Sequence, residues 1–305
     1  MNNKIFKLIL CFTLLCLCIP SFGAKWRAKH VVLIGLDGWG AYSVEKANMP
    51  AVKQLMDNGS YTLEKRSVLP SSSAVNWASM FMGAGPELHG YTEWGSKTPE
   101  LPSRELSHYG IFPSIWGVFR DENPEAEIGF FCQWGGLEYL AEMKAMSKKM
   151  HVKAEDDPSG KADKAVATQS CIYIKEKKPA FVGIFFDEPD HTGHQSGHDT
   201  EAYYQKLEEL DGYIAEIVNA VKEAGMWDET IFIVTADHGG INKGHGGKTM
   251  QEMQTPFIIS GKGIKKGYNF TESMMQFDCA STVAFIFGLK QPQVWIGRPM
   301  IQLFK

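Results

Sequence analysis

The acids and histidines of this 305-residue chain gather behind three apolar runs. Asp37 follows His30-Val-Val-Leu-Ile-Gly-Leu36. Asp187, Asp190, His191, His194 and His198 follow Phe181-Val-Gly-Ile-Phe-Phe186. Asp237 and His238 follow Thr230-Ile-Phe-Ile-Val-Thr235, and His245 comes seven residues after His238. Five of the nine histidines lie between 191 and 245, so most of the imidazole in the chain is committed to two adjoining stretches. Carboxylate oxygen and imidazole nitrogen together make a donor set that suits zinc, and the same set accepts manganese or iron. Taken singly, each piece has a plainer reading. An aspartate after a strand caps a helix or forms a turn. Asp-His-Gly can be a turn with one satisfied histidine. Asp190 and His194, four apart, can be a surface pair, although Pro189 and Gly193 point to a shaped loop. The plain reading must hold at three strand ends at once, and that weighs against it.

A nucleophile candidate lies elsewhere. Pro70-Ser-Ser-Ser73 sets hydroxyls directly before a predicted helix running through Met82. Backbone N–H groups and the helix dipole favour an anion at such a position. Contact with a metal would lower the hydroxyl pKa and make it an alkoxide-like nucleophile. With no metal ligands nearby, the same serine would read as an ordinary N-cap.

These groups need rigid supports. Apolar patterning predicts strands at 30–36, 62–69, 127–133, 180–186, 230–235 and 256–260. Helices are predicted at 49–56, after Pro70–Ser73 through Met82, and at 113–120, 163–177, 200–224 and 277–289. The helix from 200 is the clearest: Leu207, Leu210, Ile214, Ile217 and Val221 recur at three- and four-residue steps. Strands alternating with helices predict an α/β fold, a three-layer α/β/α sandwich with a mainly parallel central sheet. In such sheets ligands bind outside the carboxyl ends of the strands, where the three acid-bearing segments fall. The polar stretch from His89 to Ser107 is rich in Gly and Pro and is expected to form a loop or small cap beside the site.

Composition sets the outer limits. The chain is 44% hydrophobic and 22% charged, ordinary for a globular protein. Lys4 and Lys7, the apolar run Leu8–Pro20 and the small-residue end Ser21-Phe22-Gly23-Ala24 read as a secretory leader, with cleavage after Gly23 or Ala24. The same pattern also suits a retained anchor. The expected division is a signal peptide at 1–23 and one catalytic domain at 24–305, exported to a periplasmic or external location without stable membrane insertion. Loss of Lys4 and Lys7 moves the net charge from −4 to −6, since 29 basic residues then face 35 acidic ones. That surface argues against binding to nucleic-acid polymers. Three of the six cysteines leave with the leader. Cys132, Cys171 and Cys279 remain, an odd number that argues against a disulfide framework and leaves room for one bridge.

With these motifs in view, the chain resembles the alkaline phosphatase superfamily, and within it the nucleotide pyrophosphatase/phosphodiesterase (type I phosphodiesterase) branch. Gly35-Leu-Asp37-Gly is similar to the first metal motif of that branch. Pro70-Ser-Ser-Ser73-Ala-Val-Asn76 resembles its nucleophile segment, with Asn76 three residues and Gly83 ten residues after Ser73. Glu188-Pro-Asp190-His-Thr-Gly-His194 and Asp237-His238-Gly resemble its two most specific motifs, and Gly297-Arg298-Pro299 its closing segment. Two features depart from the branch. Its last histidine usually lies farther along and precedes Gly-Tyr-Asp, whereas His245 stands in Gly-His-Gly-Gly. Ser73 also replaces the more usual threonine.

The resemblance implies two zinc sites, one using Asp190, His194 and His245, the other Asp37, Asp237, His238 and the Ser73 oxygen. It further implies that Asn76 hydrogen-bonds a phosphoryl oxygen and that a small-molecule phosphate ester is cleaved through a phosphoseryl intermediate. An alkaline phosphomonoesterase on the same site is the alternative; it would need added cations for a dianion, and Lys97, Arg104 and Lys248 lie in loops that offer them. A sulfatase is more remote, because Ser73-Ala-Val-Asn-Trp lacks the Pro and Arg of that motif. A non-catalytic metal-binding relative is equally remote, since the ligand set is complete.

Overall fold

The computed structural model describes residues 26–153 and 162–305; the expected leader at 1–23 lies outside the described residues. The strands are β1 His30–Asp37, β2 Gly59–Arg66, β3 Ile128–Cys132, β4 Lys148–His151, β5 Phe181–Pro189, β6 Thr230–Ala236, β7 Gln254–Gly261 and β8 Tyr268–Asn269. The helices are α1 Pro50–Asp57, α2 Ser73–Met82, α3 Pro86–His89, α4 Ile115–Glu122, α5 Ala162–Lys177, α6 Asp190–Ser196, α7 Glu201–Glu223, α8 Met250–Met253 and α9 Asp278–Phe287. The strands form one sheet in the order β4-β3-β5-β1-β6-β7-β2-β8. β7 runs antiparallel to both its neighbours, and every other pairing is parallel.

β1 explains the layering. Its run Val-Val-Leu-Ile is buried on both faces, as a central parallel strand must be. Val31 and Leu33 join one apolar cluster with α2, α4 and α9. Val32, Ile34 and Leu36 join a second with α1, α5 and α7. The result is the expected three-layer α/β/α sandwich.

Three expectations shift. The strand predicted at 62–69 is β2 at 59–66, because the residues after it are drawn into a turn: Asn76 Oδ1 accepts from Val68 N at 2.7 Å. The loop expected around Pro189 and Gly193 is helix α6. Cys132, Cys171 and Cys279 are buried and free, so the room left for one bridge is not used. The segment from His89 to Ser107 does leave regular structure after α3, and Ala74 N donates to Trp94 O at 3.0 Å. It therefore lies against the first turn of α2.

Candidate active site

Three parallel strands end at one edge and carry the carboxylates there. Asp37 closes β1, Asp190 follows β5 as the first residue of α6, and Asp237 follows β6. The geometry gathers them into two overlapping groups of candidate metal donors: Asp190, His194 and His245, and Asp37, Asp190 and His238. His194 Nε2 stands 3.1 Å from Asp190 Oδ2, and His245 Nε2 3.7 Å from the same oxygen. His238 Nε2 lies 3.4 Å from Asp37 Oδ1 and 3.2 Å from Asp237 Oδ2.

The far ring nitrogens tell how these imidazoles are held. Each Nδ1 meets a backbone carbonyl: Lys243 O for His194 at 2.9 Å, Gly239 O for His238 at 2.8 Å and Ser71 O for His245 at 3.1 Å. A carbonyl only accepts, so each Nδ1 carries a proton. In His238 and His245, whose rings burial keeps neutral, that leaves a lone pair on Nε2 directed at the carboxylates. Carbonyl support of this kind is how metal-ligating histidines are oriented. In addition, Asp237 Oδ2 is buried without a hydrogen-bond partner although His238 Nε2 is close. Two acceptors facing each other in a buried site are relieved by a proton or a metal cation between them, and the oxygen and nitrogen donors present fit a metal.

Electrostatics agree. Burial, then the charges of Asp237 and Asp190, push Asp37 well above the usual carboxylate range. Burial lifts Asp237 to about 7. For Asp190, burial opposes ionisation, but hydrogen bonds with His194 and His198 outweigh it and hold the carboxyl well below its ordinary value. Donating to Asp190 in that bond raises His194 to about 9. Burial lowers His238, and lowers His245 to about 4. Protons on Asp37, Asp237 and His194 thus stand where a bound cation would otherwise supply positive charge.

Ser73 opens α2 with its hydroxyl inside this cluster. Ser73 Oγ lies 3.1 Å from His238 Nε2 and 3.4 Å from Asp37 Oδ1. Asn76, one turn on, is tied to the turn that precedes Ser73. Its Nδ2 reaches the carbonyls of Val68, Pro70 and Ser72 at 3.1–3.2 Å while its Oδ1 takes Val68 N. The side chain is fully buried. Its amide shapes the turn before Ser73.

Residues 31–246, more than half of the chain, match the family described as type I phosphodiesterase / nucleotide pyrophosphatase. The chain belongs to that family. Human ectonucleotide pyrophosphatase/phosphodiesterase family member 1 is 22% identical over 231 residues, covering 72% of this chain and 24% of that protein. Bovine bis(5'-adenosyl)-triphosphatase ENPP4 is 22% identical over 216 residues, covering 68% of this chain and 47% of that protein. This chain therefore spans less than half the length of these curated relatives. Among solved structures, an inactive variant of murine ectonucleotide pyrophosphatase/phosphodiesterase 5 in complex with AMP superposes with a TM-score of 0.73 at 15% identity, over 91% of this chain and 100% of that one. That likeness makes the fold alkaline-phosphatase-like.

Two supports of this cluster are clear only in the structure. His198 has a fully buried side chain, with Nε2 3.2 Å from Asp190 Oδ1 and Nδ1 3.2 Å from Asn242 O. Gly193 and Gly240 leave room for its ring, which a Cβ at either position would overlap. Trp77 Nε1 donates to Asp37 Oδ2 at 3.1 Å. His198 stood out in sequence only by nearness. Two further histidines fall outside the cluster. His89 is buried against Ser79 Oγ and Tyr91 N, and His191 pairs with Gln195 at the surface.

Proposed function

We propose that the protein hydrolyses phosphate esters, favouring diesters and nucleotide pyrophosphates over monoesters, with Ser73 as nucleophile. Two divalent cations, zinc by donor type, would be held by Asp190, His194 and His245 and by Asp37, Asp237, His238 and the Ser73 oxygen. The observation that carries this is Ser73 Oγ at the first residue of α2, 3.1 Å from His238 Nε2 and 3.4 Å from Asp37 Oδ1. Bound there, the cations would supply the positive charge that activates the hydroxyl and screens phosphoryl oxygens. Ser73 Oγ bonds to phosphorus as the bond to the leaving oxygen breaks, giving a phosphoseryl group. Water then cleaves that group and restores the hydroxyl. The N-terminal end of α2 adds partial positive charge beside the phosphoryl oxygens. Asn76 is assigned to holding the turn that aims Ser73.

A neighbouring cavity supports the diester. Trp94, Trp134, Tyr139 and Lys97 help line about 370 Å³, and Trp94 is joined to α2 through Ala74 N. A ring-bearing second ester group suits such walls. A leader at 1–23 would carry the reaction outside the cytoplasm in this reading. Initial rates on bis-p-nitrophenyl phosphate and p-nitrophenyl phosphate, with zinc and with chelator, test the proposal. A chelator-sensitive preference for the diester is expected. A monoester preference would make the protein a phosphomonoesterase, and no metal-dependent rate on either ester would remove the proposal.

A further inference from the structure

Lys65 is fully buried, a rare position for lysine without an ion pair. Both its hydrogen-bond partners are neutral oxygens: Nζ donates to Ala236 O at 2.7 Å and to Gln276 Oε1. A bulge turns it inward. In β2, Ser60 and Thr62 are buried, and strict alternation would bring Glu64 in next. The register against β7 instead steps from Thr62↔Phe257 to Lys65↔Thr255, so Leu63 and Glu64 together stand opposite Pro256. Glu64 is exposed and Lys65 buried. Pro256 has no N–H to give the ladder, so the extra residue falls where pairing is already interrupted, and such bulges re-aim side chains.

From Lys65 two paths lead to the site. One runs through Ala236 O to the adjoining Asp237 and His238. The other runs through Gln276, whose Nε2 donates to Ala236 O at 3.2 Å and to Asn76 O at 3.3 Å. Asn76 in turn holds Val68, Pro70 and Ser72. Gln276 is fixed by its own backbone, with Gln276 N donating to Arg66 O at 2.8 Å.

We propose that Lys65 is a positioning residue of the hydrolytic site, clamping with Gln276 the turn of Asp237 and His238 to the turn that presents Ser73. This rests on the hydrolytic reading above. Burial lowers the Lys65 ammonium to about 7, and the neutral amine keeps two N–H donors for the two oxygens it touches. The clamp therefore works in either charge state.

The test compares Lys65→Met and Gln276→Leu with wild type by hydrogen exchange without metal and by steady-state kinetics with saturating zinc. In both variants, amides of 71–76 and of 237–240 are expected to lose protection at least tenfold, with β1 amides unchanged. The kcat should fall tenfold or more, with KM within twofold. Protection kept in either segment, loss spread equally to β1, or a folded variant whose kcat stays within twofold would overturn the proposal. If Lys65→Met does not fold, Gln276→Leu, which retains the lysine, carries the same test. A wild-type protein inactive on every phosphate ester would defeat the hydrolytic reading, while the exchange data would still decide the clamp.

Discussion

His238 and His245 stack with ring centroids 3.9 Å apart, and both rings are held neutral by burial. The protons that must leave before a metal binds therefore sit elsewhere, on Asp37, on Asp237 near 7 and on His194 near 9. These pKa values are raised, so the metal-free protein keeps the protons as pH rises toward them, and metal binding releases them. Zinc affinity should accordingly rise with pH through 7 toward 9, by at least about tenfold between pH 6 and 8. Competition titration against a chelator at the two pH values measures this, and a flat profile would contradict it. Ser73 gives a second prediction. Ser73→Ala should lower kcat by at least about a thousandfold, the scale of losing a nucleophile, while zinc content by atomic absorption stays near wild type. Retained turnover would move the nucleophile to Ser72 or to water.

The elements explain why these residues keep their places. β1 lies between β5 and β6, so the strands bearing Asp37, Asp190 and Asp237 are immediate neighbours. α2 packs close enough to β1 that a Cβ at Gly35 would overlap the Trp77 and Phe185 rings. That approach lets Trp77 Nε1 reach Asp37. Gly35→Ala should therefore destabilise the fold by about 1–3 kcal/mol, the usual range for overpacking, and weaken zinc binding as Trp77 shifts. Urea unfolding of the metal-free protein measures the first effect. An unchanged midpoint would mean that the rings move aside freely. The strand ends and their chemistry were legible here because apolar runs and acids are local signals. The placing of Asn76 was not, because its amide is claimed by the turn at 68–72, which sequence spacing does not describe.

At the scale of the molecule, the site joins parts of the chain far apart in sequence. β1, β5, β6 and the loop bearing His245 meet there, each presenting acidic or imidazole groups to the others. Bound metal should therefore stabilise the whole fold by linkage, by about 4 kcal/mol at a thousandfold excess over Kd. Thermal melts with chelator should fall below those of the zinc-loaded protein, and added zinc should restore the midpoint. A midpoint indifferent to chelator would show that the cluster does not hold metal in the folded protein. No helix among the described residues is long and apolar enough to cross a membrane.

The sequence by itself determined the alternation of strands and helices, the three acid-bearing strand ends and the family, because apolar periodicity and short motifs are written in consecutive residues. Only the tertiary structure decided that β7 runs against its neighbours, that His198 supports Asp190 and that Lys65 lies buried beside the turn of Asp237 and His238. Each of these depends on partners more than 40 residues away or in other strands, such as Asn242 O for His198 and Ala236 O for Lys65. A buried lysine in a strand otherwise reads as an exposed one, and only the bulge opposite Pro256 turns it inward.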